Sequence, residues 1–236
     1  GRSIVRFAEE FGIPVATTMG GKTAIASEHP LNVGVVGRYS SRAANDLVSQ
    51  SDCVLVVGSR LGGLATRGYS IPNREAKIIS VNTDPESFDV SYPVSVKVLG
   101  DAKLTLEAIV EQLAGDSVTP QAGEWAEAAK KRVNEWREEV ARVTQALPDG
   151  APLSPYQVIA AMSPYNQEIT LVADTGYMAA WTGVLYPTVR PHSYFRAIGS
   201  LGWAGPASLG VQLARKEKVV CVTGDGGLGY HLADIE

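Results

Sequence analysis

Apolar residues in the first hundred positions follow two alternating patterns. Ile4, Phe7, Ala8 and Phe11 have the spacing of one helix face, and Gly12 follows them as a stop signal. Unbroken apolar runs between turn residues are typical of parallel strands buried on both faces. The two patterns predict helices at 41–50 and 106–113 and strands at 13–17, 53–57, 77–82 and 94–99. This alternation predicts a parallel, doubly wound sheet.

A polar stretch and a long amphipathic helix separate this block from a second one. Residues 115–123 have the composition of a linker, and residues 147–153 form a second connector rich in Pro and Gly. Between them apolar residues step by threes and fours, and we interpret Trp125 and Trp136 as packing anchors of one helix. We therefore divide the chain into a first domain (1–115), a linker with a helix (116–153) and a second domain (154–236).

The second block also alternates strands and helices. Ser154 and Gln157 have the spacing of a capping box, with Pro155 at the first helical position. We predict strands at 168–173 and 218–223, the second of them buried, and helices that follow a Gly-rich segment at 199–210 and begin again near Gly229. The predicted fold class is α/β, with two doubly wound parallel-sheet domains joined by a linker and a long helix.

Composition excludes several classes of protein. The chain of 236 residues is 45% hydrophobic and 19% charged, which is typical of globular domains. A net charge of −4 gives no basic surface for nucleic acid or an anionic membrane, and no apolar run approaches the roughly 20 residues of a membrane span. With two cysteines we expect a reducing cytoplasm and no disulfide framework. We interpret Cys53 and Cys221 as small core residues.

The segment after the last predicted strand carries candidate chemistry. Gly224, Asp225, Gly226 and Gly227 follow a strand at the end where open α/β sheets bind ligands. Glycines let backbone N–H groups approach a diphosphate, and the next helix begins there. A carboxylate is a poor partner for phosphate unless a cation lies between them, and Mg²⁺ suits that position. A tight turn without any ligand explains these four residues equally well.

The surrounding segments resemble the thiamine-diphosphate-dependent enzymes, in their acetolactate synthase-like branch. In this family Gly-Asp-Gly and a later Asn ligate magnesium, so the resemblance implies thiamine diphosphate and Mg²⁺, with Asp225 as a metal ligand. The Asn is expected beyond Glu236. Residues 199–210 are similar to the family segment that supports the cofactor, which implies that Leu201 props it in a bent shape and that Gly199 offers its carbonyl to the aminopyrimidine.

The loop that begins at Asp174 completes the second domain's resemblance. By similarity Gly176 and Tyr177 contact the diphosphate, and we expect Asp174 to cap the helix that follows. The first block resembles the family's central domain, a six-stranded parallel sheet that binds FAD in some relatives through a loop near Gly58-Ser59-Arg60. FAD is a further candidate cofactor, although the acidic continuation of the flavin pattern is missing. Both domains are expected to be incomplete, the first lacking its opening strand and the second its C-terminal part.

The resemblance implies decarboxylation and carboligation of 2-oxo acids by a homodimer or homotetramer. The family's catalytic glutamate belongs to a preceding domain, so no residue of this chain is assigned as catalytic, and we expect the 236 residues alone to be inactive. We interpret His231 as a helix-surface or packing residue.

Three alternatives stay open: another 2-oxo acid decarboxylase or lyase, a non-catalytic nucleotide-binding or interaction module, and a dinucleotide-dependent oxidoreductase. Against the oxidoreductase, Asp225 stands where pyrophosphate would lie.

Overall fold

The computed structural model describes residues 1–113, 123–146 and 152–235. They form two compact units. Unit 1 comprises Gly1–Met19 and His29–Trp136, and unit 2 comprises Gly20–Glu28 and Arg137–Glu236. Most of the two predicted connectors lies outside the described residues. In the described part of the chain, no helix has the length and apolar character needed to cross a membrane.

The described residues contain helices and strands in alternation. The helices are α1 Arg2–Phe11, α2 Arg42–Gln50, α3 Ala102–Leu113, α4 Gly123–Gln145, α5 Pro155–Met162, α6 Tyr177–Leu185, α7 Ala204–Arg215 and α8 Asp225–Gly229. The strands are β1 Val15–Thr17, β2 Asn32–Val35, β3 Cys53–Val57, β4 Lys77–Asn82, β5 Val96–Leu99, β6 Ile169–Ala173, β7 Tyr194–Arg196 and β8 Lys218–Val222. Short 3-10 turns lie at Met19–Ala24, Pro85–Ser87, Ser163–Tyr165 and Leu232–Ile235.

The predicted helix boundaries are confirmed where a specific residue satisfies the helix end. Gly12 adopts a left-handed conformation (φ 64°) after α1 and donates its N–H to the carbonyl of Ala8. Ser41 caps α2 by accepting the N–H of Ala44. Ser154 and Gln157 form the predicted capping box at the start of α5.

Unit 1 contains two parallel sheets, β1-β2 and β3-β4-β5. One of its buried clusters joins β2 to the helices α2 and α4. Trp125 and Trp136 of α4 pack, partly buried, against this cluster, so their prediction as packing anchors is confirmed. The fully buried members of the cluster are Val33, Ala43, Ala44, Leu47, Ala129 and Val133.

Unit 2 is built on one parallel sheet with the strand order β7-β6-β8. β6 is the central strand, and all five of its residues are buried. Leu171 and Ala173 of β6 pack against Ala179 and Tyr186, which lie in and directly after α6. Because all three strands are parallel, their carboxyl ends share one edge of the sheet.

Three sequence-based expectations are wrong in detail. Cys53 and Cys221 are exposed, not core residues. Cys53 is the first residue of β3, and Cys221 lies on β8, which is an edge strand and only partly covered instead of buried. α8 begins at Asp225 and not near Gly229, because the N–H of Leu228 already closes the first turn onto the carbonyl of Gly224.

At the amino ends of the unit 2 strands, two arginine side chains contact the carboxylate of Glu217. Arg190 donates to the Glu217 carboxylate at 3.0 Å and to the carbonyl of Ile169 at 3.0 Å. Arg215 forms an ion pair with the same carboxylate. Burial alone would raise the pKa of Glu217, but the hydrogen bond from Arg190 and the charges of both arginines hold it below its ordinary value. This network ties the amino ends of β6 and β8 together.

Lys22 is a buried cation in unit 2. Its side chain is 7% exposed, and its ammonium lies 6.0 Å from the ring centroid of Tyr194. No carboxylate among the described residues pairs with it. Burial therefore lowers the pKa of Lys22 to about 8, from an ordinary value of 10.5.

We expect Lys22→Met to stabilise the protein at pH 7 by about 1–3 kcal/mol, because the cost of burying the charge disappears while the apolar stem is kept. Between pH 8 and 10.5 the unfolded chain holds the lysine proton more strongly than the folded protein does. The unfolding free energy of the unsubstituted protein should thus rise with pH relative to the variant. Urea denaturation at pH 7 and 9.5 measures both effects, with the exposed Lys103→Met as control. A stability difference that is the same at both pH values would contradict a charge-burial cost.

Candidate functional site

The loops after β6, β7 and β8 meet at the carboxyl edge of the unit 2 sheet. The strand ladder continues into the first two loops: the N–H of Asp174 donates to the carbonyl of Val222 (2.9 Å), and the N–H of Ala197 donates to the carbonyl of Ala173 (3.1 Å). The structure thereby brings three sequence segments to one place. They contain all of the candidate cofactor residues, namely Gly176, Tyr177, Gly199, Leu201, Gly224, Asp225, Gly226 and Gly227.

Asp174 links these loops and does not cap a helix as expected. Its carboxylate accepts the N–H of Gly202 at 2.9 Å and 3.1 Å, the hydroxyl of Thr223 at 2.9 Å and the N–H of Thr175 at 2.8 Å. The N-cap of α6 is Gly176, which has no side chain to cap with. The strand pairing of β6 ends at Ala173, and the side chain of Asp174, the next residue, contacts the neighbouring loops. Sequence reasoning missed this role, and only the Asp at the end of a strand hinted at it.

Two glycines fit closely around this carboxylate. A Cβ on Gly227 would lie 2.5 Å from Oδ2 of Asp174 and 2.7 Å from Oγ1 of Thr223. A Cβ on Gly202, whose φ is 88°, would lie 2.8 Å from atoms of both Tyr230 and His231. Any larger residue at either position would force the loops apart.

Four other glycines border open space. A Cβ on Gly176, Gly199, Gly224 or Gly226 would meet no atom within 4 Å. Gly176 (φ 87°) and Gly199 (φ 128°) also adopt backbone conformations that other residues rarely take. Neither packing nor the neighbouring atoms account for the missing side chains at Gly224 and Gly226. Their place at the sheet edge fits a ligand that approaches the backbone closely, as a diphosphate does.

Asp225 presents a free carboxylate at the same edge. It is exposed, and it makes no hydrogen bond or ion pair with another described residue. Among the described residues, no group of three or more His, Cys, Asp or Glu side chains could hold a metal ion by itself. Mg²⁺ is commonly bound by one or two carboxylates together with phosphate oxygens. The donor set therefore fits a magnesium ion that arrives with a diphosphate.

Apolar side chains border this edge of unit 2. Tyr177, at the start of α6, is 73% exposed, and Leu201, beside Gly202, is 44% exposed. Exposed apolar side chains mark a binding surface only where they form a contiguous patch. Leu201 is available to support an aromatic ring.

His231 lies beside Gly202 in unit 2. Its Nδ1 atom is 2.7 Å from Oδ2 of Asp234, and its ring is close to Gly202. The ring is half exposed, as befits the surface or packing role predicted for it.

The loop expected near a flavin lies in unit 1, at the carboxyl ends of β3 and β4. Arg60 donates to Ser87 at 3.1 Å and forms an ion pair with Asp84. The hydrogen bond from the N–H of Glu86 and, to a smaller extent, the one from Arg60 hold the pKa of Asp84 below its ordinary value. The charge of Arg60 is therefore balanced within the chain, and FAD binding stays a prediction.

Comparison with known proteins gives two family matches. Residues 1–109 match the central domain of the thiamine pyrophosphate (thiamine diphosphate) enzymes. Residues 174–236 match the C-terminal TPP binding domain of the same enzymes, and this match begins at Asp174.

Curated relatives of two kinds are similar to the chain. The "Probable acetolactate synthase large subunit" of Methanococcus aeolicus is 29% identical over 95% of this chain and 39% of its own length. The acetolactate synthase large subunit of Haemophilus influenzae is 27% identical over 98% of the chain and 40% of its own length. The 3D-(3,5/4)-trihydroxycyclohexane-1,2-dione hydrolase of Geobacillus thermodenitrificans is 38% identical over 60% of the chain and 21% of its own length.

The chain spans about two fifths of the length of the acetolactate synthase relatives. The two matched domains follow each other in one chain, and the second contains all the loops that meet at the sheet edge. The chain belongs to the thiamine pyrophosphate enzymes.

Proposed function

We propose that this chain is part of an enzyme that uses thiamine diphosphate and Mg²⁺ to decarboxylate a 2-oxo acid and join the product to an acceptor, as acetolactate synthases do. The observation that carries the proposal is the open glycine cradle at one sheet edge, formed by Gly176, Gly199, Gly224 and Gly226, with the free carboxylate of Asp225 beside it. The domain matches and the acetolactate synthase relatives support the same cofactor and chemistry.

In this proposal the loop after β8 holds the diphosphate end of the cofactor. Gly224, Gly226 and Gly227 present backbone N–H groups, and Asp225 ligates the magnesium ion. Gly176 and Tyr177, at the start of α6, bind the diphosphate from the loop after β6.

The loop after β7 holds the ring end. Leu201 supports the cofactor in its bent shape, and the carbonyl of Gly199 accepts a hydrogen bond from the aminopyrimidine. When bound, thiamine diphosphate supplies the carbon nucleophile and the electron sink for decarboxylation. The residues of this chain orient it, and the glutamate that activates it is expected elsewhere in the intact protein, which we propose to be a cytoplasmic homodimer or homotetramer.

A second candidate function has its own support. The chain is 38% identical to the trihydroxycyclohexanedione hydrolase over 141 residues, whereas its 29% identity to an acetolactate synthase extends over 238 residues. The corresponding proposal is hydrolytic cleavage of a cyclic 1,2-dione, with the same cofactor residues in the same roles.

Replacing Asp225 tests the metal site. We expect Asp225→Asn to weaken Mg²⁺-dependent binding of thiamine diphosphate at least tenfold, because a neutral amide is a poorer ligand for a hard cation. Isothermal titration of the intact protein measures this effect, with Asp234→Asn as a control that removes a nearby exposed acid. Titrations with NAD and ADP belong to the same series. Binding of NAD with no thiamine diphosphate signal would refute the proposed function.

The adjacent glycines Gly226 and Gly227 differ in their surroundings, because Gly226 borders open space and Gly227 packs against Asp174 and Thr223. We expect Gly227→Ala to destabilise the cofactor-free protein by about 1–3 kcal/mol, because its methyl group collides with Asp174 and Thr223. Gly226→Ala should leave the stability nearly unchanged, since open space surrounds that position, and should weaken thiamine diphosphate binding. Urea denaturation and calorimetry measure the two effects. Equal stability losses in both variants would contradict the assignment of Gly226 to a cradle.

Substrate assays on the intact protein separate the two candidate reactions. With pyruvate, acetolactate synthesis should release CO₂ and form a branched hydroxy-oxo acid. With cyclohexane-1,2-dione, hydrolysis should open the ring without releasing CO₂. Turnover of pyruvate supports the first proposal, and turnover of the dione alone would replace it with the second.

A further inference from the structure

Asp174 is a charged residue in the most buried part of unit 2. It follows the central strand β6 directly, and its exposed fraction is 0%. No lysine, arginine or histidine in the part of the chain that the structure describes forms an ion pair with it. An unpaired buried carboxylate is costly unless hydrogen bonds replace the water it has lost. If Asp174 only filled space, an apolar residue would do so at lower cost.

The hydrogen bonds that replace this water come from all three loops. Thr175 belongs to the loop after β6, Gly202 to the loop after β7 and Thr223 to the loop after β8, and each donates to the carboxylate at 2.8–3.1 Å. The two oxygens of one side chain therefore set the separation of three segments that are distant in sequence. Gly227 approaches the same carboxylate so closely that no Cβ fits.

Each group held by Asp174 is a close sequence neighbour of a candidate cofactor residue. Gly202 follows Leu201, Thr223 precedes Gly224 and Asp225 by one and two positions, and Thr175 precedes Gly176. A displacement of any of these anchors moves the adjacent cofactor residue by a similar distance. Binding sites lose affinity when such supporting contacts are removed, even though the contacting residues remain.

We infer that Asp174 is a positioning residue. It holds the loop after β8, the loop after β7 and the start of α6 at fixed distances from one another before the cofactor binds. This inference rests on the proposed function, because the relative positions of the loops matter only for a ligand that contacts all three. Asp174 itself is not expected to touch the cofactor or the metal, since its oxygens are already occupied by donors from the chain.

Substitutions at Thr223 provide the matched test. Thr223→Val keeps the shape of the side chain and removes the hydroxyl that donates to Asp174, whereas Thr223→Ser keeps the hydroxyl and removes the methyl group. For the intact protein with Mg²⁺, we expect Thr223→Val to weaken thiamine diphosphate binding about tenfold, which corresponds to one hydrogen bond to a charged group. Thr223→Ser should stay within about threefold of the unsubstituted protein.

Asp174→Asn should have a larger effect in the same direction, because its amide group places N–H donors against N–H and O–H donors. Amide hydrogen exchange without cofactor gives an independent readout. The N–H of Gly202 should be protected in the unsubstituted protein and should exchange at least tenfold faster in Asp174→Asn. Urea denaturation checks that Thr223→Val, Thr223→Ser and Asp174→Asn are all folded at the conditions of the titration.

The outcomes separate this inference from the proposed function. If the unsubstituted protein binds thiamine diphosphate and Thr223→Val binds it equally well, Asp174 does not position the loops, while the function stands. If the unsubstituted protein does not bind thiamine diphosphate, the function fails and the inference fails with it. A loss of affinity in Thr223→Val that Thr223→Ser does not share supports the inference, since lost packing would affect both variants.

Discussion

One buried carboxylate connects the loops at the candidate site of unit 2. Parallel strands bring the loops after β6, β7 and β8 to the same side of the sheet, but strand pairing ends where the loops begin. Beyond that point the hydrogen bonds to Asp174 take over from the ladder and connect the three loops. These hydrogen bonds hold the loops so close together that no Cβ fits at Gly202 or Gly227. Glycine is required at the two positions for that reason.

Local patterns were sufficient to predict much of the fold. The capping box at Ser154 and the stop at Gly12 depend on contacts between residues close in sequence, and short apolar runs mark β3 and β4. All of them appear as predicted. The exposure of Cys221 could not be predicted in this way, because an apolar run does not tell whether its strand lies at the centre or the edge of a sheet. The short strands β2 (Asn-Val-Gly-Val) and β7 (Tyr-Phe-Arg) were missed because neither contains an unbroken apolar run.

The glycines of the candidate site show the same limit at the level of single residues. The sequence places Gly224, Gly226 and Gly227 in one motif and assigns all three to the cofactor. The structure separates them by what surrounds each Cα: open space at Gly224 and Gly226, and the Asp174 carboxylate at Gly227. That difference arises from a residue about fifty positions earlier, so only the folded chain reveals which glycines leave room for a ligand and which leave room for the protein.

Asp174 and Asp225 illustrate how burial decides the role of an acid. Both follow a strand at the same sheet edge and both stand near glycines, and only the resemblance to the family distinguished Asp225, as a metal ligand, from Asp174, as a helix cap. Asp174 is buried, and both of its carboxylate oxygens already accept hydrogen bonds from the chain. Their lone pairs are therefore not available to a metal ion. Asp225 is exposed and has no partner among the described residues, so its oxygens remain available. Of the two acids, Asp225 is therefore the one that can serve as the proposed magnesium ligand, and in our proposal the contacts of Asp174 fix the position of the loop that carries it.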